Sequence, residues 1–391
     1  MLDTAPRTAT RTSSKIWLAA WPVMAVFVLS NAATPLYPVW RQRLGFSAGT
    51  MTAIFACYIV GLIAALLVAG VLSDRIGRPP VLLPALGLAL VACVLFGTAD
   101  SVAVLALARL LTGIAVGATV SAGMAAVADV AGEGQRRLAA LAASAAMVLG
   151  AGSGPLLAGL TSQHLPGPTV TVFGIEAVLL LTALPVVLGL PARGSGTGGL
   201  VRVPSVPRAA RFRLVCGIAV FAPGITATSF VLSLGPSLLT QLLGTTDRVV
   251  AGAMAFVMFA AATGIQFALQ RRTVRGLLLT GAAATTASMA ALVLAVHLSL
   301  VVALVAAAVL AGAGQGLGQL GGLSLLNTHV PQERRAEANA ALNIGGYVPA
   351  GVLPVAAGYL SDAIGLPTAA TIFAVTLALL AVAGGMIVSR G

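Results

Sequence analysis

Twelve apolar stretches, each about twenty residues or longer, follow one another along this chain with only short interruptions by Arg, Asp, Gly or Pro. They fall near 16–39, 48–72, 80–98, 102–128, 137–160 and 168–190, then near 213–240, 248–270, 276–296, 299–328, 338–360 and 367–388. With 59% of 391 residues hydrophobic and only 8% charged, little chain remains for a soluble domain. Backbone polar groups have no water to bond in hydrocarbon, so segments of this length must be helices or a closed barrel, and uninterrupted apolar runs select helices. The expectation is an all-α membrane protein of twelve transmembrane helices.

A net charge of +12 would point a soluble protein toward nucleic acid. Here 21 of the 22 basic residues lie in loops, tails or span ends, and no basic stripe with interleaved aromatics runs along a helix, so no nucleic-acid partner is expected. The charges instead set orientation. With both termini cytoplasmic, the inner segments hold 18 basic residues and the outer loops only Arg41, Arg43 and Arg248, leaving Arg109 within a span. One lysine against 21 arginines suggests a GC-rich bacterial genome, hence a bacterial inner (cytoplasmic) membrane. Arg7, Arg11 and Lys15 precede the first span as in a signal peptide, but its length and eleven later spans argue for an uncleaved helix. Cys57, Cys93 and Cys216 lie apart in apolar surroundings, a pattern of buried small side chains with no metal spacing.

Residues 191–212 break the pattern with Gly, Pro, Ser and Arg and read as a cytoplasmic linker between an N-terminal six-helix bundle (1–190) and a C-terminal one (213–391). The halves correspond at an offset of 199 residues: Pro155, Ala158 and Gly159 match Pro354, Ala357 and Gly358, Leu44 and Gly45 match Leu243 and Gly244, and Gly77 matches Gly276. Duplicated halves of this kind place a substrate site between the repeats near the membrane midplane.

After the second span the chain reads Gly70, Val71, Leu72, Ser73, Asp74, Arg75, Ile76, Gly77, Arg78. This resembles the G-x-L-x-D-R-x-G-R loop of the major facilitator superfamily at every fixed position, with Pro79 where the family usually has another basic residue. The resemblance implies two pseudo-symmetric six-helix bundles that alternate access, and a cytoplasmic gate of Gly70, Asp74, Arg75, Gly77 and Arg78 that latches the two halves together, with Asp129 as partner of an arginine. In the second half the equivalent loop, 270–276, keeps three arginines and the glycine but has Thr273 in place of the aspartate.

Arg109 with Leu105, Thr112 and Gly113 resembles the family's L-x-x-x-R-x-x-Q-G motif, Thr112 replacing Gln. A charge at that depth costs about 2.5 kcal/mol or more and calls for a polar partner. The resemblance assigns it to proton transfer; bracing of backbone carbonyls is the other reading. Glu176 is the one acidic residue well inside a span and a second candidate for proton coupling, though its place toward the outer side of a usually peripheral helix lets it reach the interface instead. Gly150, Gly152, Gly154, Pro155, Ala158 and Gly159 resemble the antiporter signature G-x-x-x-G-P-x-x-G-G, with Ala158 departing from it; Gly150, Gly154, Pro155 and Gly159 are the expected hinge. Gly316, Gly318 and Gly321 fit a dinucleotide fingerprint but lack the strand it needs, so helix packing is expected.

Asn31, Tyr58, Gln266, Gln315, Gln319, Asn343 and Tyr347 are polar side chains within spans, and by family resemblance would line the substrate cavity. Without a dense charged cluster, that cavity suits a neutral or lipophilic compound. The expected function is proton-coupled efflux of a small drug-like molecule by a monomer, with membrane lipid and protons as its other partners and the proton gradient in place of a cofactor. The alternatives are a sugar or metabolite transporter working by uniport or symport, and a non-transporting receptor or scaffold. A membrane-embedded enzyme is disfavoured because no catalytic constellation occurs within the spans.

Overall fold

The computed structural model describes residues 5–131, 135–191, 205–244, 247–331 and 334–390. Most of the expected linker, with Arg193 and Arg202, lies outside them, as do the side chains of Arg7, Arg11 and Arg137. The described chain is helical, and twelve of its segments are long and apolar enough to cross a membrane. We number the long helices α1 (Ala5–Ala32), α2 (Ala48–Ile76), α3 (Pro79–Gly97), α4 (Val102–Ala118, continued through Thr119–Gly123 to Met124–Ala131), α5 (Arg136–His164) and α6 (Pro168–Leu188). The second set is α7 (Arg211–Leu243), α8 (Arg248–Leu269), α9 (Val274–Leu298), α10 (Val301–His329), α11 (Arg335–Ile364) and α12 (Leu366–Arg390). The expected spans match this order.

Three local differences from the sequence reading have simple causes. The first span continues past Ala32 through a 3-10 turn at Thr34–Leu36 into a short helix, Tyr37–Leu44, so Arg41 and Arg43 sit in the last turn of a helix, not in an open loop. The 3-10 helix Arg208–Ala210 and the start of α7 at Arg211 take over the last residues of the expected linker. Within α4, Thr119–Gly123 forms a π turn, whose wider ring absorbs an extra residue without breaking the helix.

Helix ends follow from the residues there. Ser47 accepts from Thr50 N at 3.2 Å to cap α2, Asp247 accepts from Val249 N at 2.8 Å to cap α8, and Thr273 accepts from Gly276 N at 3.2 Å to cap α9. Gly45 and Gly244, 199 residues apart, close the helices before α2 and α8 with φ of 67° and 62°.

Packing repeats in the same register. Helix α1 packs on α5 and α6, α2 on α4, and α3 on α4 and α6; six helices later α7 packs on α11 and α12, α8 on α10, and α9 on α10 and α12. The 199-residue correspondence extends to Gly113 and Gly312: a Cβ on Gly113 would collide with the Tyr58 carbonyl of α2, and one on Gly312 with the Met258 carbonyl of α8. Two pseudo-symmetric six-helix bundles result. They meet along two seams that are themselves equivalent, α2 against α11 and α5 against α8. The glycine-rich run of α10 packs helices as expected: Gly316 faces Ala262, Gly318 faces Phe221 and Gly321 faces Leu278.

Candidate functional site

Asp74, Arg78 and Asp129 come together at one end of the first bundle. Gly77 ends α2 with φ of 96°, and its N–H donates to Ser73 O at 3.1 Å, which turns the chain so that Arg78 lies back over the helix it has just left. Arg78 donates through Nη1 to Asp74 Oδ1 at 2.6 Å and Ser73 Oγ at 2.8 Å, and through Nε to Asp129 Oδ2 at 2.9 Å. Burial opposes the Arg78 charge, yet the bonds and charges of Asp129 and Asp74 outweigh it and hold the guanidinium above its ordinary pKa. All three residues belong to the first bundle, so in this conformer the clasp joins α2 and the α2–α3 turn to α4, and not the two halves as the resemblance implies. Arg75 is partly exposed beside it, and Gly70 accepts from Ser73 Oγ through its carbonyl at 3.0 Å.

Arg109 is wholly buried in α4. Its Nε donates to Tyr37 Oη at 2.6 Å and its Nη1 to the Ser30 carbonyl at 2.7 Å, both partners lying at or just beyond the end of α1. The rings of Tyr37, Phe55 and Phe96 surround the guanidinium carbon at 5.2, 5.3 and 5.8 Å. Nη2 has no hydrogen-bond partner among the described residues. The arginine therefore both braces α1, as the structural reading expects, and keeps one donor uncommitted.

Glu176 does not reach the interface. It is 2% exposed, faces α3 near Cys93, and its Oε2 has no described hydrogen-bond partner. Nor does it pair with Arg109: Phe96, which flanks the guanidinium, stacks on Phe173 at 4.7 Å, and Glu176 sits one turn beyond Phe173. Trp40 adds to this wall, 6.0 Å from Phe173. Among the described residues no ion pair joins the two ionisable residues that the sequence grouped together, and the stacked rings of Phe96 and Phe173 run from the Arg109 guanidinium to the helix that carries Glu176.

The expected hinge lies between two helices. Gly150 and Gly154 let the backbone of α1 approach at Met24 and Val28, while Gly159 faces the Arg248 carbonyl and Gly252 of α8 faces the Pro155 carbonyl. Helix α5 runs unbroken through Pro155.

Of the polar residues expected in the cavity, Tyr58 and Tyr347 come within electrostatic range of each other across the α2–α11 seam. Tyr347 packs edge-on against Phe221 at 6.3 Å. The Gln315 side-chain carbonyl is buried with no described partner. Asn31 is buried and donates to Ser30 Oγ at 3.0 Å, next to the carbonyl that holds Arg109. Gln266, Gln319 and Asn343 are partly buried on α8, α10 and α11.

Sequence reasoning missed the contacts at the opposite end of the bundles. Asp362, near the end of α11, accepts from Ala48 N and Gly49 N, each at 2.9 Å, at the first turn of α2. Across the other seam Arg248 donates to the Ser162 carbonyl at 2.5 Å. The signal was present: Gly358, Tyr359, Leu360, Ser361, Asp362, Ala363, Ile364, Gly365 repeats the pattern of Gly70 to Gly77. The backbone repeats it too, since Gly365 has φ of 87° and its N–H donates to Ser361 O at 3.0 Å. A vestibule of about 690 Å³ opens at this end, with Arg41, Gln42, Thr240, Gln241 and Asp362 in its walls.

A family model described as Major Facilitator Superfamily matches residues 18–292. The major facilitator-type transporter psiT2 of Psilocybe cyanescens is 32% identical over 162 residues, 41% of this chain and 29% of that protein. The uncharacterized MFS-type transporter YfkF of Bacillus subtilis (strain 168) is 28% identical over 175 residues, 45% of this chain and 44% of that protein. The matches thus span less than half the length of these curated relatives. Among solved structures, a point mutant of the nucleoside transporter NupG superposes with a TM-score of 0.77 at 14% identity, covering 95% of this chain and 99% of that one. A bacterial homologue of the human lysosomal transporter Spinster, inward-facing and unoccupied, gives 0.74 at 14% identity, covering 99% and 98%. At such identities the likeness is one of fold.

Proposed function

The chain belongs to the major facilitator superfamily, and from that premise we propose that this multi-pass membrane transporter expels a small drug-like or lipophilic compound from a bacterial cell in exchange for protons. The observation that carries the reading is Arg109: a guanidinium sealed from solvent, fixed by Tyr37 and the Ser30 carbonyl, with one nitrogen still able to bind. A buried cation without a carboxylate partner among the described residues is costly to hold, and such residues in spans serve ion or proton pathways more often than bracing alone. Glu176 is the second residue of proton coupling in this reading, and the one whose side chain can take up and release a proton, while Arg109 keeps its charge.

With the arginine-rich end in the cytoplasm, the Asp362 end is outermost, and its two bonded seams make the conformer closed outward. The Asp74, Arg78, Asp129 clasp then stiffens the inner ends of α2 and α4, which must move as a unit when the cleft closes inward. Glycines 150, 154 and 159 supply the close contacts with α1 and α8 over which α5 rolls. The termini are cytoplasmic, the unit is a monomer in the inner membrane, and the proton gradient is the energy source.

A second reading, transport of a hydrogen-bonding metabolite, is favoured by Tyr58, Tyr347 and the unpartnered Gln315 carbonyl, which suit a polar solute. Reconstituted vesicles separate the two: efflux of a lipophilic dye that appears only under an imposed pH gradient and disappears with an uncoupler supports exchange. Dye movement indifferent to the uncoupler refutes it, and saturable uptake of sugars or nucleosides in its place selects the second reading.

A further inference from the structure

The repeated G-x-L-S-D-x-I-G pattern ends α2 and α11 with the same backbone turn but gives the aspartates different partners. After Asp74 come Arg75 and, four residues on, Arg78, whose guanidinium occupies the carboxylate. After Asp362 the same positions are Ala363 and Leu366, so nothing in the adjoining turn neutralises it. Its carboxylate is taken instead by the free amides at the start of α2, in the other bundle, with Arg41 in electrostatic range. Four N–H groups at a helix start lack intrahelical partners, and two of those of α2 point at the two oxygens of one side chain. Beside this contact the bundles touch tightly: a Cβ on Gly49 would collide with the Tyr359 ring, and one on Gly358 with Thr52 Oγ1.

We infer that Asp362 is the latch of the outer gate, a cross-bundle cap that holds the end opposite the arginine loops shut and must release α2 for that end to open. The inference rests on the alternating-access reading above and names the bond that reading leaves unassigned. The caps of α2, α8 and α9 by Ser47, Asp247 and Thr273 each tie a helix to its own preceding residue, and keep their geometry whichever way the bundles tilt. The Asp362 cap spans one seam, as the contacts of Arg248 with Ser162 and Gln163 span the other, so its two bonds exist only in the outward-closed conformer. Loss of a charged side-chain cap changes an equilibrium roughly tenfold.

The test is the separation of spin labels in reconstituted protein, after replacement of Cys57, Cys93 and Cys216. One pair, at Gln42→Cys and Thr240→Cys, straddles the vestibule; a second, at Ile76→Cys and Thr328→Cys, straddles the opposite end. Asp362→Asn, which keeps shape, and Asp362→Ala are expected to raise the ratio of long to short vestibule distances about tenfold and to shorten the second pair. Asp100→Asn, an exposed carboxylate at the same end, is expected to change neither. Unchanged distributions in both Asp362 variants, with the two ends still exchanging when a transported dye is added, overturn the latch and leave the transport reading standing. If neither pair changes in any variant or with dye, the latch and alternating access fall together.

Discussion

Tyr37 and Arg109, 72 residues apart, meet at 2.6 Å through the phenol oxygen and the guanidinium Nε, both buried to 0% exposure. The hydroxyl therefore decides how firmly the buried charge is held. Tyr37→Phe removes an acceptor from a charged donor and is expected to cost about 1–3 kcal/mol, read as a lower melting temperature in detergent. Arg109→Ala, which frees Tyr37 and Ser30 together, is expected to cut gradient-driven efflux at least tenfold per folded molecule. Lower stability with unchanged efflux would assign Arg109 to bracing alone.

Glu176→Gln keeps the side chain's shape and removes its ability to ionise. With no ion pair to lose among the described residues, stability is expected to stay within about 1 kcal/mol of the parent. Gradient-driven transport is expected to fall, while exchange of substrate at equal pH on both sides persists. Equal loss of both activities would point to packing against α3 and not to proton movement.

The two carboxylates of the clasp at the arginine-loop end are open to water, each aspartate side chain being 47% exposed around an Arg78 that is 16% exposed. Arg78→Ala should consequently alter melting by no more than about 1 kcal/mol. Transport should drop severalfold, and Arg78→Lys, which keeps a charge but cannot bridge two carboxylates in the same geometry, should recover only part of it. A double-mutant cycle between Arg78 and Asp129 measures the coupling directly.

Gly113 and Gly312 occupy equivalent places, and each stands against a carbonyl of the neighbouring helix. Gly113→Val and Gly312→Val are both expected to destabilise by about 1–3 kcal/mol or more, by forcing α2 from α4 and α8 from α10. Thermal melts of the two should agree. A large effect from one alone would mean that the bundles differ more in packing than their backbones indicate.

Orientation is tested by single cysteines at Ser205 and Gln42 in the cysteine-replaced protein. A membrane-impermeant maleimide added to intact cells is expected to label Gln42→Cys and not Ser205→Cys. The reverse pattern would invert the gate assignments.

Helix number and order were legible because hydrocarbon demands long apolar runs and drives nearly all Arg and Asp to their ends. The pairing of Asp129 with an arginine of the α2–α3 loop came through the family resemblance, while the bond between Asp74 and Arg78, and the confinement of the clasp to one bundle, did not. What escaped was the facing of helices. A span apolar on all sides carries no stripe to show which neighbour it meets. Hence Arg109 could be placed at depth but not joined to Tyr37, and Glu176 could be read as reaching an interface from which it is shielded. The Asp362 contact links residues 313 and 314 apart, too far for any local pattern, although the duplicated loop pattern would have singled the residue out.

The π turn at Thr119–Gly123 lies between Arg109 and Asp129 on a single helix. Each residue of an α-helix contributes about 100° of rotation, so the wider turn, by absorbing its surplus residue, holds the angular phase of everything that follows it. Deleting one residue within the turn would restore a regular helix and keep that phase, whereas deleting one in the α-helical stretch between Gly123 and Asp129 would swing Asp129 about that far around the axis, away from Arg78, with Arg109 left in its aromatic nest. One rod thus carries two independently phased instruments, and a change of a single residue in its length can detune one without touching the other.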